Sequence, residues 1–239
     1  MTSAASSTVE PSDAASPAAN VTADPPLTCA VLVPAFNEAG TVGEVVRCAL
    51  ASGVGPVLVV DDGSTDATAE AAAAAGAEVL RLPHNVGKGG AMLAAARAVR
   101  ADVVVLLDAD LVGLTPAQVR ALAEPVCRGE ADMTRGVFRG GRWHTTAAQR
   151  LTPQLNGQRA LRRGDLLAVP GLRASRYGVE IVIGEHARRS GWRRLDVPLE
   201  GVSQVMKEEK RGLLAGIGLR AGMYRDILRA LLTRGGKDG

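Results

Sequence analysis

Between residues 27 and 112 the chain alternates short, continuously apolar runs with longer Ala-rich stretches. Residues 29–33, 57–60 and 103–107 are apolar at nearly every position rather than at every second one, the pattern of parallel strands covered on both faces. Residues 78–82 form a shorter, edge-like run. The intervening segments 41–51, 66–75 and 88–100 are each long enough for a helix. Strands and helices in this alternation predict right-handed crossovers and an α/β fold, a Rossmann-like mostly parallel sheet with helices on both faces. Gly76 ends the Ala71 to Ala75 run, and Thr115-Pro116 opens another helix as a cap followed by Pro at the first helical position.

After residue 128 the pattern loosens. Residues 132–137 and 193–197 read as strands, 178–189 as a helix and 213–233 as a long amphipathic helix. These segments predict a single domain over 27–239, with a nucleotide-binding half at 27–112 and a second half at 113–239 that closes over it. Residues 1–26, biased to Ala, Ser, Thr and Pro, lack both a basic start and an apolar core. They read as a disordered tail rather than a secretory signal.

Composition narrows the function classes. The 239 residues are 46% hydrophobic and 22% charged, enough for one soluble core. The net charge is +3, and setting aside Glu10, Asp13 and Asp24 of the tail raises the body to +6, which suits an anionic partner such as a nucleotide, a phosphate or a membrane surface. Cys29, Cys48 and Cys127 are widely separated and suggest neither a disulfide framework nor a zinc knuckle, consistent with a reducing cytoplasm. The most apolar long segment, 212–232, is interrupted by Arg220, Arg225, Asp226 and Arg229, so no membrane span is expected. Aromatic residues, at 3%, are too few for the stacking platforms of single-strand nucleic-acid binders.

In an open parallel sheet, ligands bind beyond the carboxyl ends of the strands, so the polar residues that follow each apolar run are the informative ones. The first run is followed by Pro34-Ala35-Phe36-Asn37-Glu38 and the second by Asp61-Asp62-Gly63-Ser64-Thr65-Asp66. The latter reads equally as turn and cap chemistry or as carboxylates accepting from a base or a ribose. Asp108-Ala109-Asp110 follows the fourth run. Carboxylates two apart on an extended segment point the same way and suit one hard cation, Mg²⁺ or Mn²⁺, with diphosphate oxygens completing the shell; the alternative is a solvated acidic turn. His84-Asn85-Val86-Gly87-Lys88-Gly89-Gly90 is a glycine-rich entry to a helix that favours phosphate, without the spacing of a Walker loop or a dinucleotide fingerprint. Arg135, Arg139, Arg142, Arg150, Arg159, Arg162 and Arg163 fall in an interval with no Asp or Glu, which reads as an anionic acceptor or phospholipid surface, or as a solvated basic face.

Taken in order, Val31 to Glu38, Val60 to Thr68, Asn85 to Met92 and Leu107 to Asp110 resemble the consecutive motifs of family 2 type glycosyltransferases with the GT-A fold. The resemblance implies a metal-dependent transferase with a nucleotide-diphosphate sugar donor, UDP-sugar favoured over GDP-sugar. Pro34, Ala35, Asn37 and Glu38 would line base and ribose, Asp61 or Asp62 would contact the base, and Lys88 would sit by the diphosphate. Asp108, Ala109 and Asp110 would form the D-x-D motif, with Asp110 the direct metal ligand. Developing negative charge on the departing diphosphate is what a metal and Lys88 would stabilise.

Leu155 to Arg163 and Tyr177 to Ile181 resemble acceptor-side segments of polyprenyl-phosphate glycosyltransferases and glucosyl-3-phosphoglycerate synthases. That likeness implies a phosphorylated or lipid-linked acceptor flanked by Gly157, Gln158 and Arg159. It makes Glu180 the base of an inverting transfer, or else a carboxylate complementing its helix dipole. Gln204 stands in the neighbourhood where some GT-A enzymes place a His on the metal. The final helix could dock on the inner face of a membrane, or pack on its own protein or a second subunit as a homodimer. Two other readings remain: a sugar-nucleotide nucleotidyltransferase, disfavoured because Pro34 to Glu38 replaces its usual Gly-rich loop, and a non-catalytic binder of anionic polymer or membrane.

Overall fold

The computed structural model describes residues 27–139, 157–175 and 178–204. The tail at 1–26, Arg142, Arg150, Tyr177 and the helix expected at 213–233 lie outside the described residues. The elements run β1 (Cys29–Ala35), α1 (Val42–Ala51), β2 (Val57–Asp61), α2 (Thr68–Ala74), β3 (Glu78–Arg81), α3 (Lys88–Ala98), β4 (Val103–Leu106), β5 (Leu111–Val112) and α4 (Pro116–Cys127). They continue with β6 (Met133–Arg139), β7 (Arg159–Arg162), α5 (Arg163–Ala168), a 3₁₀ turn (Leu172–Ser175), α6 (Val179–Arg189), β8 (Arg194–Glu200) and β9 (Ser203–Gln204).

One seven-stranded sheet spans both halves in the order β3-β2-β1-β4-β7-β6-β8. Strands β1 to β4 are mutually parallel, and β7 runs antiparallel to both β4 and β6. The sheet is therefore mostly parallel, as expected, with one reversed strand, β7, between β4 and β6. The apolar runs are continuous because each face has its own cover. Val31, Val33, Val57, Val59, Val103 and Val105 pack against α1 and α4 on one side; Leu32, Leu58, Val60, Val104 and Leu106 pack against α3, α5 and α6 on the other. The alternate positions of each strand thus serve opposite layers.

Local chemistry sets the element ends. Thr115 caps α4 by accepting from the Gln118 N–H, and the Gln118 side chain accepts in return from the Thr115 N–H, a capping box before Pro116. Gly89 is required by packing: a Cβ there would stand 2.0 Å from the Leu172 carbonyl oxygen, so α3 seats directly on the 3₁₀ turn. Two expectations need correcting. Strand β4 ends at Leu106, so Asp108-Ala109-Asp110 is a turn and not an extended segment. The arginine-rich interval is not one solvated face: β7 carries Arg159 into the interior, and Arg163 donates to the Ala101 carbonyl at 2.8 Å. Sequence reading missed β7 because its apolar core, Ala160-Leu161, is only a pair between arginines.

Candidate active site

The carboxyl ends of β1, β2 and β4 and the N-termini of α3 and α6 converge at one edge of the sheet. The loop after β1 is interlocked with the loop after β2. Asn37, at φ 56°, donates its N–H to Ser64 Oγ at 3.0 Å and accepts the Thr65 N–H at 2.9 Å on its side-chain oxygen. Asn tolerates this left-handed conformation better than most residues. The Glu38 N–H donates to Thr68 Oγ1 at 2.8 Å, and the Asp62 N–H to the Ala35 carbonyl at 2.8 Å. Pro34 and Ala35 thereby form the floor at the end of β1, with Ala35 buried.

Asp61 and Asp62 are both buried, and their carboxylates are engaged with backbone. Asp61 Oδ1 accepts the Ser64 N–H at 2.9 Å. Asp62 accepts the Val86 N–H at 2.7 Å and the Gly87 N–H at 2.9 Å. Asp62 therefore holds the glycine-rich loop that leads into α3, a positioning task in addition to the base contact that the motif resemblance implies. Gly63, at φ 73°, lets the two loops touch, since a Cβ there would meet Asn85 N at 2.8 Å.

The centre of the site is an ion cluster. Lys88, the first residue of α3, places Nζ 2.7 Å from Asp108 Oδ1 and 2.5 Å from Glu180 Oε1. Gln158 Nε2 and Gln204 Nε2 both donate to Asp108 Oδ2, at 2.9 and 2.7 Å. The register of β7 explains the meeting: Leu106 pairs with Arg159, so the antiparallel ladder continues to set Gly157 opposite Asp108. A Cβ on Gly157 would lie 2.5 Å from Asp108 Oδ1 and 2.7 Å from Lys88 Nζ. Only glycine leaves room for the cluster. Gln204 arrives from β9, which pairs with β5 just after the acidic turn, Leu111 opposite Gln204.

Electrostatics in the cluster favour the charged forms of Asp108 and Lys88. Burial opposes the Asp108 charge, yet the adjacent Lys88 ammonium and the Gln158 amide hold its carboxyl below the ordinary aspartate range. Burial likewise opposes charge on Lys88, and Asp108 and Glu180 outweigh it, holding the ammonium above its usual range. Arg159, 2% exposed, is pulled below its ordinary value by burial, against the attraction of Glu180 and Asp108. Two basic and two acidic side chains thus meet in a largely buried cluster that Lys88 leaves partly open to solvent.

The donor set suits a hard divalent cation. Among the described residues no group of three or more His, Cys, Asp and Glu side chains could hold a metal by itself. Asp108, Asp110 and Gln204 carry oxygen donors of the type that Mg²⁺ or Mn²⁺ accepts when diphosphate and water supply the rest of a shell. Of the expected site residues, the structure brings together Lys88, Asp108, Gly157, Gln158, Arg159, Glu180 and Gln204; Asn37, Glu38, Asp61 and Asp62 build the adjoining loop pair. The double amide clamp on Asp108 was missed, because nothing in the sequence spacing links residues 50 and 96 positions away.

Glucosyl-3-phosphoglycerate synthase of Mycolicibacterium smegmatis is 31% identical over 246 residues, covering 87% of this chain and 78% of that protein. Undecaprenyl-phosphate 4-deoxy-4-formamido-L-arabinose transferase of Edwardsiella ictaluri is 28% identical, covering 85% of this chain and 67% of that one. The crystal structure of glucosyl-3-phosphoglycerate synthase from Mycobacterium tuberculosis in complex with Mn²⁺, UDP-glucose and phosphoglyceric acid superposes with a TM-score of 0.70 at 29% identity, covering 87% of this chain and 79% of that chain. The same enzyme with Mg²⁺ and UDP gives 0.71, again at 29% identity, over 88% of this chain and 80% of that chain. The GT-A architecture expected from the motifs is borne out. The model for Glycosyl transferase family 2 matches residues 30–183, and the chain belongs to that family.

Proposed function

We propose that this chain transfers a sugar from a UDP-sugar to the hydroxyl of a phosphorylated acceptor with Mg²⁺ or Mn²⁺ bound at the acidic turn. The observation that carries this reading is the part-buried Lys88, Asp108 and Glu180 cluster at the meeting point of β4, α3 and α6. The relatives' names and complexes support the donor and acceptor classes, with UDP-glucose and phosphoglyceric acid in one of them.

Asp110 would be the direct protein ligand of the cation, with Asp108 and the Gln204 amide oxygen as the further donors that would complete its protein side. The bound cation supplies charge stabilisation for the departing diphosphate. Lys88 adds its ammonium to the same oxygens, moving from carboxylates to phosphate. The loop pair built by Asn37, Glu38, Asp61 and Asp62 shapes the wall behind Pro34 and Ala35 that takes base and ribose. Gly157, Gln158 and Arg159 border the acceptor, where the Arg159 guanidinium favours an anion. In the transfer the bond from the sugar C1 to the diphosphate oxygen breaks with its electron pair leaving on UDP, and the acceptor oxygen bonds to C1. For an inverting outcome Glu180 takes the acceptor proton; for either outcome it anchors Lys88.

Thermal stabilisation by UDP, GDP and their sugars, with Mn²⁺, Mg²⁺ or EDTA, tests the donor assignment directly, because a ligand of the folded state raises its melting temperature. A metal-dependent shift with UDP compounds, lost in Asp110→Ala, is expected. Equal shifts with EDTA, or none with any nucleotide, would sink the reading. UDP-glucose with phosphoglycerate is the first pair to assay for product, and its anomeric configuration by NMR decides the role of Glu180.

A further inference from the structure

At the end of the sheet opposite the site, Cys29 opens β1 and Cys127 closes α4, with their Sγ atoms 2.7 Å apart. Both side chains are half-buried, so small reagents can reach them. Their backbones are fixed by separate contacts. Thr28, next to Cys29, donates its N–H and hydroxyl to Asp102 Oδ2 at 2.9 and 2.7 Å. The Cys29 carbonyl packs so closely on Gly55 that a Cβ there would stand 2.0 Å away. On the other side Val126 is fully buried in the core, and the Arg128 N–H closes the last turn of α4 on the Glu124 carbonyl at 2.9 Å. The two sulfurs therefore face each other as a feature of the packed fold. A disulfide bond is about 2.05 Å long, so closing one here needs a shift of a fraction of an ångström. Sequence spacing hid the pair, because the two residues are 98 positions apart.

We propose that Cys29 and Cys127 are a reversible disulfide site, closed by a small-molecule disulfide such as oxidised glutathione and opened by a small thiol. Cys127 is the attacking sulfur. The hydrogen bond from the Cys29 thiol, helped by the Arg162 charge, holds Cys127 below the ordinary thiol range, while the same contact and burial push Cys29 up. The Cys127 thiolate displaces one small thiolate and forms a mixed disulfide. Cys29, losing its proton to the departing thiolate or to solvent, then attacks the Cys127 sulfur and releases the second. The protein loses two hydrogens as the two halves of the oxidant leave as thiols.

The bridge would tie β1, the central strand of the nucleotide half, to α4, which packs on the strands of the second half. It lies away from Lys88, Asp108 and Glu180, so it acts on stability and not on chemistry. A cross-link closing so long a loop constrains the unfolded chain strongly. The third cysteine is an internal control: the Cys48 thiol points elsewhere, donating to the Leu114 carbonyl at 3.3 Å.

The test is thiol alkylation in denaturant followed by mass spectrometry, after the folded chain has been equilibrated in oxidised and then in reduced glutathione. Reduced protein should take up label at all three cysteines. Oxidised protein should label at Cys48 alone, be lighter by two hydrogens, yield a peptide joining Cys29 to Cys127, and melt roughly 5–10 °C higher, with catalytic turnover within twofold. Cys29→Ser and Cys127→Ser should each abolish both changes, and Cys48→Ser neither. Three labelled thiols after oxidation, a persistent glutathione adduct on either partner, or a bridge that includes Cys48 would each overturn the proposal. The wild-type measurement stands even if a serine variant fails to fold.

Discussion

Two groups of buried carboxylates border the site, and they are satisfied in opposite ways. Asp61 and Asp62 accept backbone N–H groups of Ser64, Val86 and Gly87, donors that belong to the fold and stay with it. Asp108 and Glu180 share the ammonium of Lys88, a donor on a flexible stem that can leave for a phosphate. A carboxylate tied to backbone shapes a loop. One tied to a lysine holds charge in reserve, because the incoming diphosphate and its cation can replace each partner with a like charge. On the proposed function, these contacts sort one set of acidic motif residues into frame and machinery.

The largest expected effect tests the machinery side. Lys88→Met removes the shared cation and leaves Asp108 and Glu180 buried against each other. Breaking a buried pair in this way costs about 3–5 kcal/mol, and removing a charge aimed at the leaving group lowers turnover by roughly 10²–10³. Denaturant unfolding and steady-state kinetics measure both. Near-wild-type turnover in a folded Lys88→Met protein would break the comparison.

Gly157→Ala comes next. Its Cβ would press on both Asp108 oxygens and on Lys88 Nζ at 2.5 to 2.7 Å. The cluster would have to open, and a misplacement on the order of an ångström costs turnover about 10²-fold. The KM for UDP-sugar should rise as well, since the same oxygens border the cation. An unchanged kcat would show that the close approach of β7 to the acidic turn is not needed in the reacting state.

How much of this was legible beforehand follows from the same distinction. The strands at β1, β2 and β4, their helices and their polar ends could be read from residues 27–112, because continuous apolar runs and local turn chemistry are short-range signals. Lys88, Asp108 and Arg159 could be singled out from local chemistry, and Gly157, Gln158, Glu180 and Gln204 through motif resemblance, but their mutual contacts could not. Those depend on β7 entering the sheet antiparallel beside β4 and on β9 pairing with β5, long-range registers without a local pattern. Arg159 shows the limit most clearly: flanking arginines read as an anionic acceptor or phospholipid surface or as a solvated face, and tertiary packing buried this one.

The frame side should respond differently. Asp62→Asn keeps one acceptor oxygen and replaces the other by a donor that faces an N–H. Leaving a buried donor unpaired costs about 1–3 kcal/mol, so stability should fall while turnover at saturating substrate changes less than tenfold. A KM effect confined to the donor would fit a wall that positions the glycine-rich loop. A loss in kcat as large as that of Lys88→Met would erase the distinction between frame and machinery.

The smallest effect comes from a carboxylate of a third kind, held by a guanidinium at the surface. Asp132 accepts from Arg193 Nη2 and from the Arg193 N–H, each at 2.8 Å, joining the start of β6 to the start of β8. The side-chain hydrogen bond from Arg193, then that from its N–H, lowers the Asp132 carboxyl below its ordinary value. A depressed folded value means that the contribution is present above the unfolded value of about 3.9 and is lost as pH falls through the folded one. The pair is open to solvent, so its contribution is small. Asp132→Asn should therefore lower the melting temperature slightly at pH 7, and the difference from the parent should close on acidification below about pH 4. Added salt should shrink it at neutral pH. A difference that persisted unchanged at acid pH and high salt would show Asp132 working through its hydrogen bonds alone, as the frame carboxylates do, and exposure would then matter less than the identity of the donor.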